Sequence, residues 1–405
     1  MALKLRFHHL YRYYRSIFFY QATFMLFNSH RFTQFHRLLG DISGAFADLG
    51  TFLPLALGLI ALNQFSAPGI FLSFGLFALL TAIVYRRPVA TQPMKVITAL
   101  VISIGLSPGM MQASAMIMGL IMLILAFSGT IQWLARQVSQ AVSVGIQLAI
   151  GLKLIWLGYG MMDNTLWLGL SALLLLFVSR WLPLKYLMVP SVLALGMIWQ
   201  AYTGGAVGID TSLAQSGFHL SWPAPSDWLH ATGTLVLPQL AMTLTNAIIA
   251  ASLLAKETFP EDAARFSPKR FAITSGLANL LLAPLGSAAM CHGAGGMAVQ
   301  THFGARTWRT PALFGTSCLL IALCWGHTVS QWLEMIPMAV LGSLLATAGA
   351  QLAWSKRLLD GRPYCIFVIL ATALVSISVN VAVGLVVGIV LEYGRKAAIQ
   401  LRPAS

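Results

Sequence analysis

Charge is what this chain has least of. Of its 405 residues only 9% are Asp, Glu, Lys or Arg, and just 11 are acidic, where an average soluble protein carries roughly 25% charged residues. So few ionic side chains cannot clothe a soluble domain. With 58% hydrophobic residues, the chain reads as an integral membrane protein with the lipid bilayer as its main partner. Cysteine is scarce as well. Cys291, Cys318, Cys324 and Cys365 sit in or beside apolar runs with neither paired nor metal-ligand spacing, which argues against a disulfide framework or a zinc site and leaves reduced packing residues. No nucleophile, base and metal constellation is present, so an enzyme is not expected, and nothing calls for a cofactor or a resident metal.

What is present is a set of long apolar runs with basic residues between them. At about 20 residues per apolar helix, the segments between Phe46 and Tyr393 allow some twelve to fourteen crossings. A formal charge of +14 would suggest nucleic acid in a soluble protein, so the placement of the basic residues decides. Threading about fourteen spans with a cytoplasmic N-terminus puts every Lys and Arg on the cytoplasmic side except Lys95 and Lys153, which fall inside apolar segments. No charge is left over for a nucleic acid partner. The expected location is integral to the membrane, the cytoplasmic (inner) membrane if the chain is bacterial, with both termini cytoplasmic. The basic, aromatic residues 1–39 lack a small-residue cleavage site after their apolar part and read as a cytoplasmic or interfacial segment rather than a signal peptide.

The spans divide into two sets: residues 40–203 and residues 230–398, separated by an extracytoplasmic loop at 204–229 and followed by a tail at 399–405. About seven spans in each set make the second run inverted relative to the first, an organisation that places a substrate near the midplane between interrupted helices. The fold class expected is an all-α polytopic membrane protein with about 14 transmembrane segments in a seven-plus-seven inverted repeat, its third and tenth spans being half-helices that meet at the midplane. Each set supplies its interruption at that position: "RRPVATQPMK" (86–95) in the first and "GSAAMCHGAGGMAVQ" (286–300) in the second.

Those interruptions carry the chemistry. Pro93 suits the first position of a helix, where its missing N–H costs nothing, and Thr91 or Gln92 can cap the donors that follow. The N–H groups of Met94 and Lys95 would face a cavity with the positive helix end behind them, an anion site, to which Lys95 adds a full charge. Gly293, Gly295 and Gly296 let backbone approach the same ligand from the other half. On the first span Asp48 and Thr51 share a helix face, and a carboxylate at such depth is costly and commonly functional. On the eighth, Gln239, Thr243 and Asn246 make one polar stripe. His292 has the chemistry to carry a proton near neutral pH. Each has a plainer reading that stays open. Lys95 could pair with Asp48 or snorkel to the surface, Asp48 could be a charge-paired structural acid, the stripe could glue helices together, and His292 could be satisfied by a neighbouring backbone group. Lys153 reads as a packing or snorkelling residue.

At these residues the chain resembles a known family. "GAFADLGTFLPLA", "QPMKVITA" and "CHGAGGMAVQTHFGART" are similar to the signatures of the molybdate transporter family, a branch related to the sulfate permeases, over about Gly40 to Gly394. The resemblance implies the inverted-repeat fold, a core domain of spans 1 to 4 and 8 to 11, a gate domain of spans 5 to 7 and 12 to 14, and import of a tetrahedral oxyanion, molybdate, by sliding of core past gate. Substrate would lie between Gln92 to Lys95 and His292 to Gly296. The family's usual Pro-Val before the Gln-Pro-Met-Lys motif reads Ala90-Thr91 here, and the C-terminal regulatory domain of many sulfate permeases has no counterpart in the sequence. Moving two negative charges inward against 100 mV costs about 4.6 kcal/mol, so a coupling ion is expected; protons are the economical choice, with Asp48 and His292 as carriers. A homodimer would fit the fold. Three alternatives remain: sulfate as substrate, a nucleobase (uracil or xanthine) permease of the same fold, for which residues 231–255 lack a carboxylate, and a passive anion channel.

Overall fold

The computed structural model describes residues 30–137, 139–181, 187–203, 220–324, 334–354 and 363–400. Residues 1–29, most of the 204–229 loop and the last five residues lie outside that set. In chain order the helices are α1 (His30–Ala45), α2 (Leu49–Asn63), α3 (Ala67–Tyr85), α4 (Lys95–Ile104), α5 (Pro108–Ser128), α6 (Ile131–Gln137), α7 (Gln140–Gly160), α8 (Leu166–Val178) and α9 (Met188–Thr203). They continue with α10 (Pro225–Thr258), then α11 (Pro268–Leu282), α12 (Ala294–His302), α13 (Arg309–Cys324), α14 (Met338–Ala353), α15 (Pro363–Ser378) and α16 (Val381–Gln400). Among them α3, α5, α7, α10 and the run His36–Asn63 are long and apolar enough to cross a membrane.

Helix ends follow local rules. Ser66, Ser107 and Ser267 each accept the backbone N–H of the third residue of α3, α5 and α11, with proline at the first or second helical position. The short helix α4 stops because Gly105 takes a left-handed conformation at φ 76°. The buried Asn63 amide then satisfies the carbonyls of Val101 and Leu106 at 2.9 and 3.0 Å. A helix can therefore end inside the protein with its last carbonyls paired, which apolar surroundings require.

The two interrupted spans meet through a feature the sequence does not announce. Thr91–Pro93 (β1) and Met290–His292 (β2) form an antiparallel pair with Thr91 opposite His292, Gln92 opposite Cys291 and Pro93 opposite Met290. This corrects the expectation that Pro93 opens a helix. A residue before proline is pushed toward extended conformation, and Gln92 obeys; Pro93 sits at the strand's end, where a missing donor is tolerated. The helix proper starts at Lys95, after Met94 in extended conformation. Asn279 holds β2 from behind, accepting from the Met290 N–H at 2.9 Å and donating to the Met290 carbonyl at 2.6 Å.

Around this centre, α3 packs on α13, α5 on α11, and α7 on α14. The last pair touches backbone to backbone: Gly158 lies against the Gly342 carbonyl and Gly151 against that of Gly349, each contact returned by its partner. Small residues at such crossings are how membrane helices gain close packing without a hydrophobic driving force between them.

Candidate functional site

Asp48 precedes α2, and its carbonyl receives the N–H groups of Thr51 and Phe52 at 3.0 and 3.2 Å. Its carboxylate takes a short hydrogen bond from the Gln92 side-chain amide. Gln92 is thus bonded to Asp48 and does not cap the donors of α4. Gly293 and Gly296 make this possible: a methyl group on Gly296 would collide with both Gln92 Nε2 and Asp48 Oδ2, and one on Gly293 with Gln92 Oε1. Gly295 points into open space. The glycines therefore divide their work, two admitting side chains from the first half and one leaving room at the start of α12.

Lys95, half-buried, lines a cavity of about 60 Å³ together with Thr51, Gln147, Met242 and Gln351. At about 10–15 Å³ per ordered water, this holds a few waters or one small ion. None of the ion pairs among the described residues joins Lys95 to Asp48 within 4 Å, although the Lys95 charge acts on the Asp48 carboxylate from farther off. A second, larger hollow of about 260 Å³ shares Thr51 and Gln351 with the first, is bordered by Asp48, and extends to Ser179, Met188 and Phe303. Four polar residues of these hollows, Gln147, Ser179, Thr347 and Gln351, were not picked out from sequence. Gln147 lies four residues after Ser143 on α7, and Thr347 and Gln351 lie four apart on α14, so each helix carried a short polar spacing that could have marked them.

The donors at the start of α4 are already engaged. Met94 N–H bonds to the Ala289 carbonyl at 2.8 Å, which corrects its expected exposure to the cavity. Val96 and Ile97 N–H both donate to Gln239 Oε1, at 2.9 and 3.2 Å. Gln239 passes its own amide to Thr243 Oγ1 at 2.9 Å. Two members of the polar stripe are therefore brought to the half-helix as its cap, buried beside the cavity instead of lining it. Asn246 does not join them. From Thr243 to Ala250 the chain winds as a π-helix, whose wider turn shifts the residue at i+7 off the stripe. Replacing Gln239 by Leu, similar in size but without the acceptor, should leave two buried donors unpaired at about 1–3 kcal/mol each. A fall in the thermal midpoint of the purified protein would register that loss.

His292 faces away from both hollows. It is fully buried, with Nε2 2.8 Å from Thr274 Oγ1 and Nδ1 3.3 Å from the Ala90 carbonyl oxygen. The rings of Phe77, Phe271 and Tyr85 surround it at 4.9, 5.0 and 5.4 Å between centroids. The Tyr85 hydroxyl shares the same threonine at 2.8 Å. Both ring nitrogens thus have partners, as in the backbone-satisfied reading. Lys153 is half-buried on α7 and borders neither hollow.

With this geometry in view, comparison with known proteins is informative. The sequence profile described as "Molybdate transporter of MFS superfamily" matches residues 40–154 and 231–352, which include both half-helices and the Asp48 and Gln239 elements. "Molybdate transporter 1" of Arabidopsis thaliana is 29% identical over 441 residues, covering 93% of this chain and 96% of that protein. "Molybdate transporter 1" of Chlamydomonas reinhardtii is 25% identical, covering 86% and 90%. Among solved structures, the transmembrane domain of a cyanobacterium bicarbonate transporter, BicA, superposes with a TM-score of 0.63 at 17% identity over 87% of this chain and 97% of that one. The murine Solute Carrier 26 family member A9 anion transporter in its inward-facing state does so with 0.66 at 16% identity, over 91% and 69%. The mostly helical fold is that of these membrane transporters. A profile match that spans well over half the chain and takes in every element around the central cavity makes this protein a membrane transporter rather than an enzyme, and it belongs to the molybdate transporter family.

Proposed function

We propose that the chain is a secondary active transporter that imports a tetrahedral oxyanion, molybdate, coupled to protons. The observation that supports it most directly is Lys95 at the head of α4, with no carboxylate within 4 Å among the described residues, lining a small cavity shared with residues of α2, α7, α10 and α14. A cation at a helix N-terminus in a confined polar space selects for an anion. The relatives named as molybdate transporters supply the substrate's identity. Thr51, Gln147 and Gln351 offer it hydrogen bonds, and Gly295 leaves the start of α12 open to it. Gln239 and Thr243 hold α4 in place, and Asn246 lies outside the contact set.

In this reading the chain has about fourteen spans in two inverted sets, residues 40–203 and 230–398, with both termini cytoplasmic. Spans 1 to 4 and 8 to 11 form a core and spans 5 to 7 and 12 to 14 a gate. The cavity then lies between them, since Thr51 and Lys95 belong to one and Gln147 and Gln351 to the other. The larger hollow reaches Phe303, close in sequence to Arg306 and Arg309, so the state described faces the cytoplasm. Asp48 is the proton carrier, because it borders the hollow; His292, with both nitrogens engaged, we assign to holding β2. A homodimer is compatible with this arrangement.

Uptake of labelled molybdate into proteoliposomes at low concentration tests the assignment. Competition by tungstate but not by sulfate or uracil is expected. Preferential block by sulfate would keep the site and change the substrate, whereas uracil transport would overturn the oxyanion reading, and conduction without uphill accumulation would make it a channel. An acidic exterior should accelerate uptake by wild-type protein, and Asp48→Asn should remove that acceleration. Wild-type uptake indifferent to an imposed pH gradient would dismiss proton coupling.

A further inference from the structure

Apart from the transport site, arginines from four separate segments converge on one hollow. Arg37 of α1, Arg86 and Arg87 after α3, Arg265 before α11 and Arg309 at the start of α13 line a space of about 510 Å³, with Asp262, Thr307 and Trp308. The nearby acids are already taken. Glu261 and Asp262 pair with Arg87 at 2.7 and 2.6 Å, and Asp262 also with Arg265 at 3.2 Å. Arg87 is further fixed by the Arg306 carbonyl at 3.1 Å and by the Phe259 ring at 4.9 Å. Arg37, Arg86 and Arg309 take part in none of these ion pairs, so the hollow keeps an excess of positive charge. The N–H groups ahead of α13 contribute little to it, because buried Asp41 accepts from Arg306 and Thr307 at 2.9 and 3.0 Å.

One side of the hollow is apolar. Ile83, one turn before Arg86, is 72% exposed, and Trp308, which lines the hollow, is 52% exposed. An exposed aliphatic side chain one turn from a guanidinium outside these ion pairs, with a half-exposed tryptophan in the lining, describes the level where hydrocarbon gives way to headgroups. Guanidinium groups bind phosphate in planar, two-pronged fashion, and basic pockets at the cytoplasmic ends of spans suit anionic lipid headgroups.

We propose that this hollow is a binding site for an anionic phospholipid, its phosphate against Arg37, Arg86 and Arg309 and its acyl chains running from Trp308 along Ile83. The bound lipid bridges α1, the end of α3 and the start of α13. It therefore stabilises this part of the protein without touching the transport cavity.

Native mass spectrometry of the full-length protein, with a thermal melt alongside, tests the site. The probes are phosphatidylglycerol, phosphatidylcholine and soluble glycerol phosphate, applied to wild type, to R86Q/R309Q and to Lys256→Gln as a basic control elsewhere. Wild type and the control should retain phosphatidylglycerol adducts and melt at a higher temperature with that lipid, and the double variant should lose both effects. Phosphatidylcholine and glycerol phosphate should do neither. Equal retention by the double variant overturns the site, and an equal shift from glycerol phosphate overturns the lipid as its occupant. Should the double variant fail to accumulate, R37Q is expected to show the same loss of retention, and unchanged retention there overturns the proposal.

Discussion

Lys95→Ala is expected to yield a folded protein that no longer accumulates molybdate at low external concentration. Lys95 lines the small cavity at the head of α4 and has no carboxylate within 4 Å among the described residues; its charge also acts from farther off on the Asp48 carboxylate, which keeps its hydrogen bond from Gln92 when Lys95 is removed. The loss falls on the substrate. A unit charge pair about 4 Å apart at an effective dielectric constant near 20 is worth about 4 kcal/mol, and a dianion feels more before desolvation is subtracted. A fall in uptake of at least about a hundredfold is therefore expected, with an unchanged thermal midpoint. Lys95→Arg should recover only part of it, since a planar fork does not reproduce a compact ammonium. Uptake at wild-type affinity in the alanine variant would reassign Lys95 to packing and shift the anion's charge partner elsewhere.

Gly158→Val should fail for a different reason: little protein should reach the membrane at all. Any Cβ at Gly158 runs into the Gly342 carbonyl of α14, and any Cβ at Gly342 runs into the Gly158 carbonyl in return. These are backbone atoms with no rotamer to yield, and the helices must separate along their whole contact. Overpacking costs about 1–3 kcal/mol where side chains adjust and more where backbone must move, out of a total stability of only about 5–15 kcal/mol. Gly160→Ala two residues on, where nothing lies within 4 Å, should be neutral. Gel filtration of membrane extracts separates the outcomes, and a monodisperse Gly158→Val protein in normal yield would contradict the packing described here.

How much of this was visible in the sequence depended on the range of the signal. Pro93 and the glycines of 293–296 mark breaks in apolar runs, so the two interrupted helices could be placed from local chemistry. Their pairing through β1 and β2 could not: a three-residue strand shows no alternation, and its partner lies in the other half of the chain. For the same reason Gln92 was read as a cap for the helix that follows it, whereas its hydrogen bond goes to Asp48 on another span. Gln239 was singled out by its spacing as a substrate contact, but its role as acceptor for Val96 and Ile97 depends on how α10 meets α4. Asn246 was misplaced because ideal helical spacing was assumed through a segment that winds as a π-helix. Gln147 and Gln351 were missed although Ser143 and Thr347 precede them by four residues on the same faces, because so short a polar pair acquires its meaning from what faces it.

The ladder between Thr91–Pro93 and Met290–His292 has a thermodynamic corollary for the proposed transport cycle. Because the two strands are hydrogen-bonded to each other, the geometry around Asp48, Gln92 and the glycines travels as a unit when the core moves. An ion met from outside and an ion met from inside would then find the same contacts and hence closely similar intrinsic affinities. Such a carrier has no built-in preference for import; it is a reversible device, and the direction of net flow is left to the concentrations and the membrane voltage on either side.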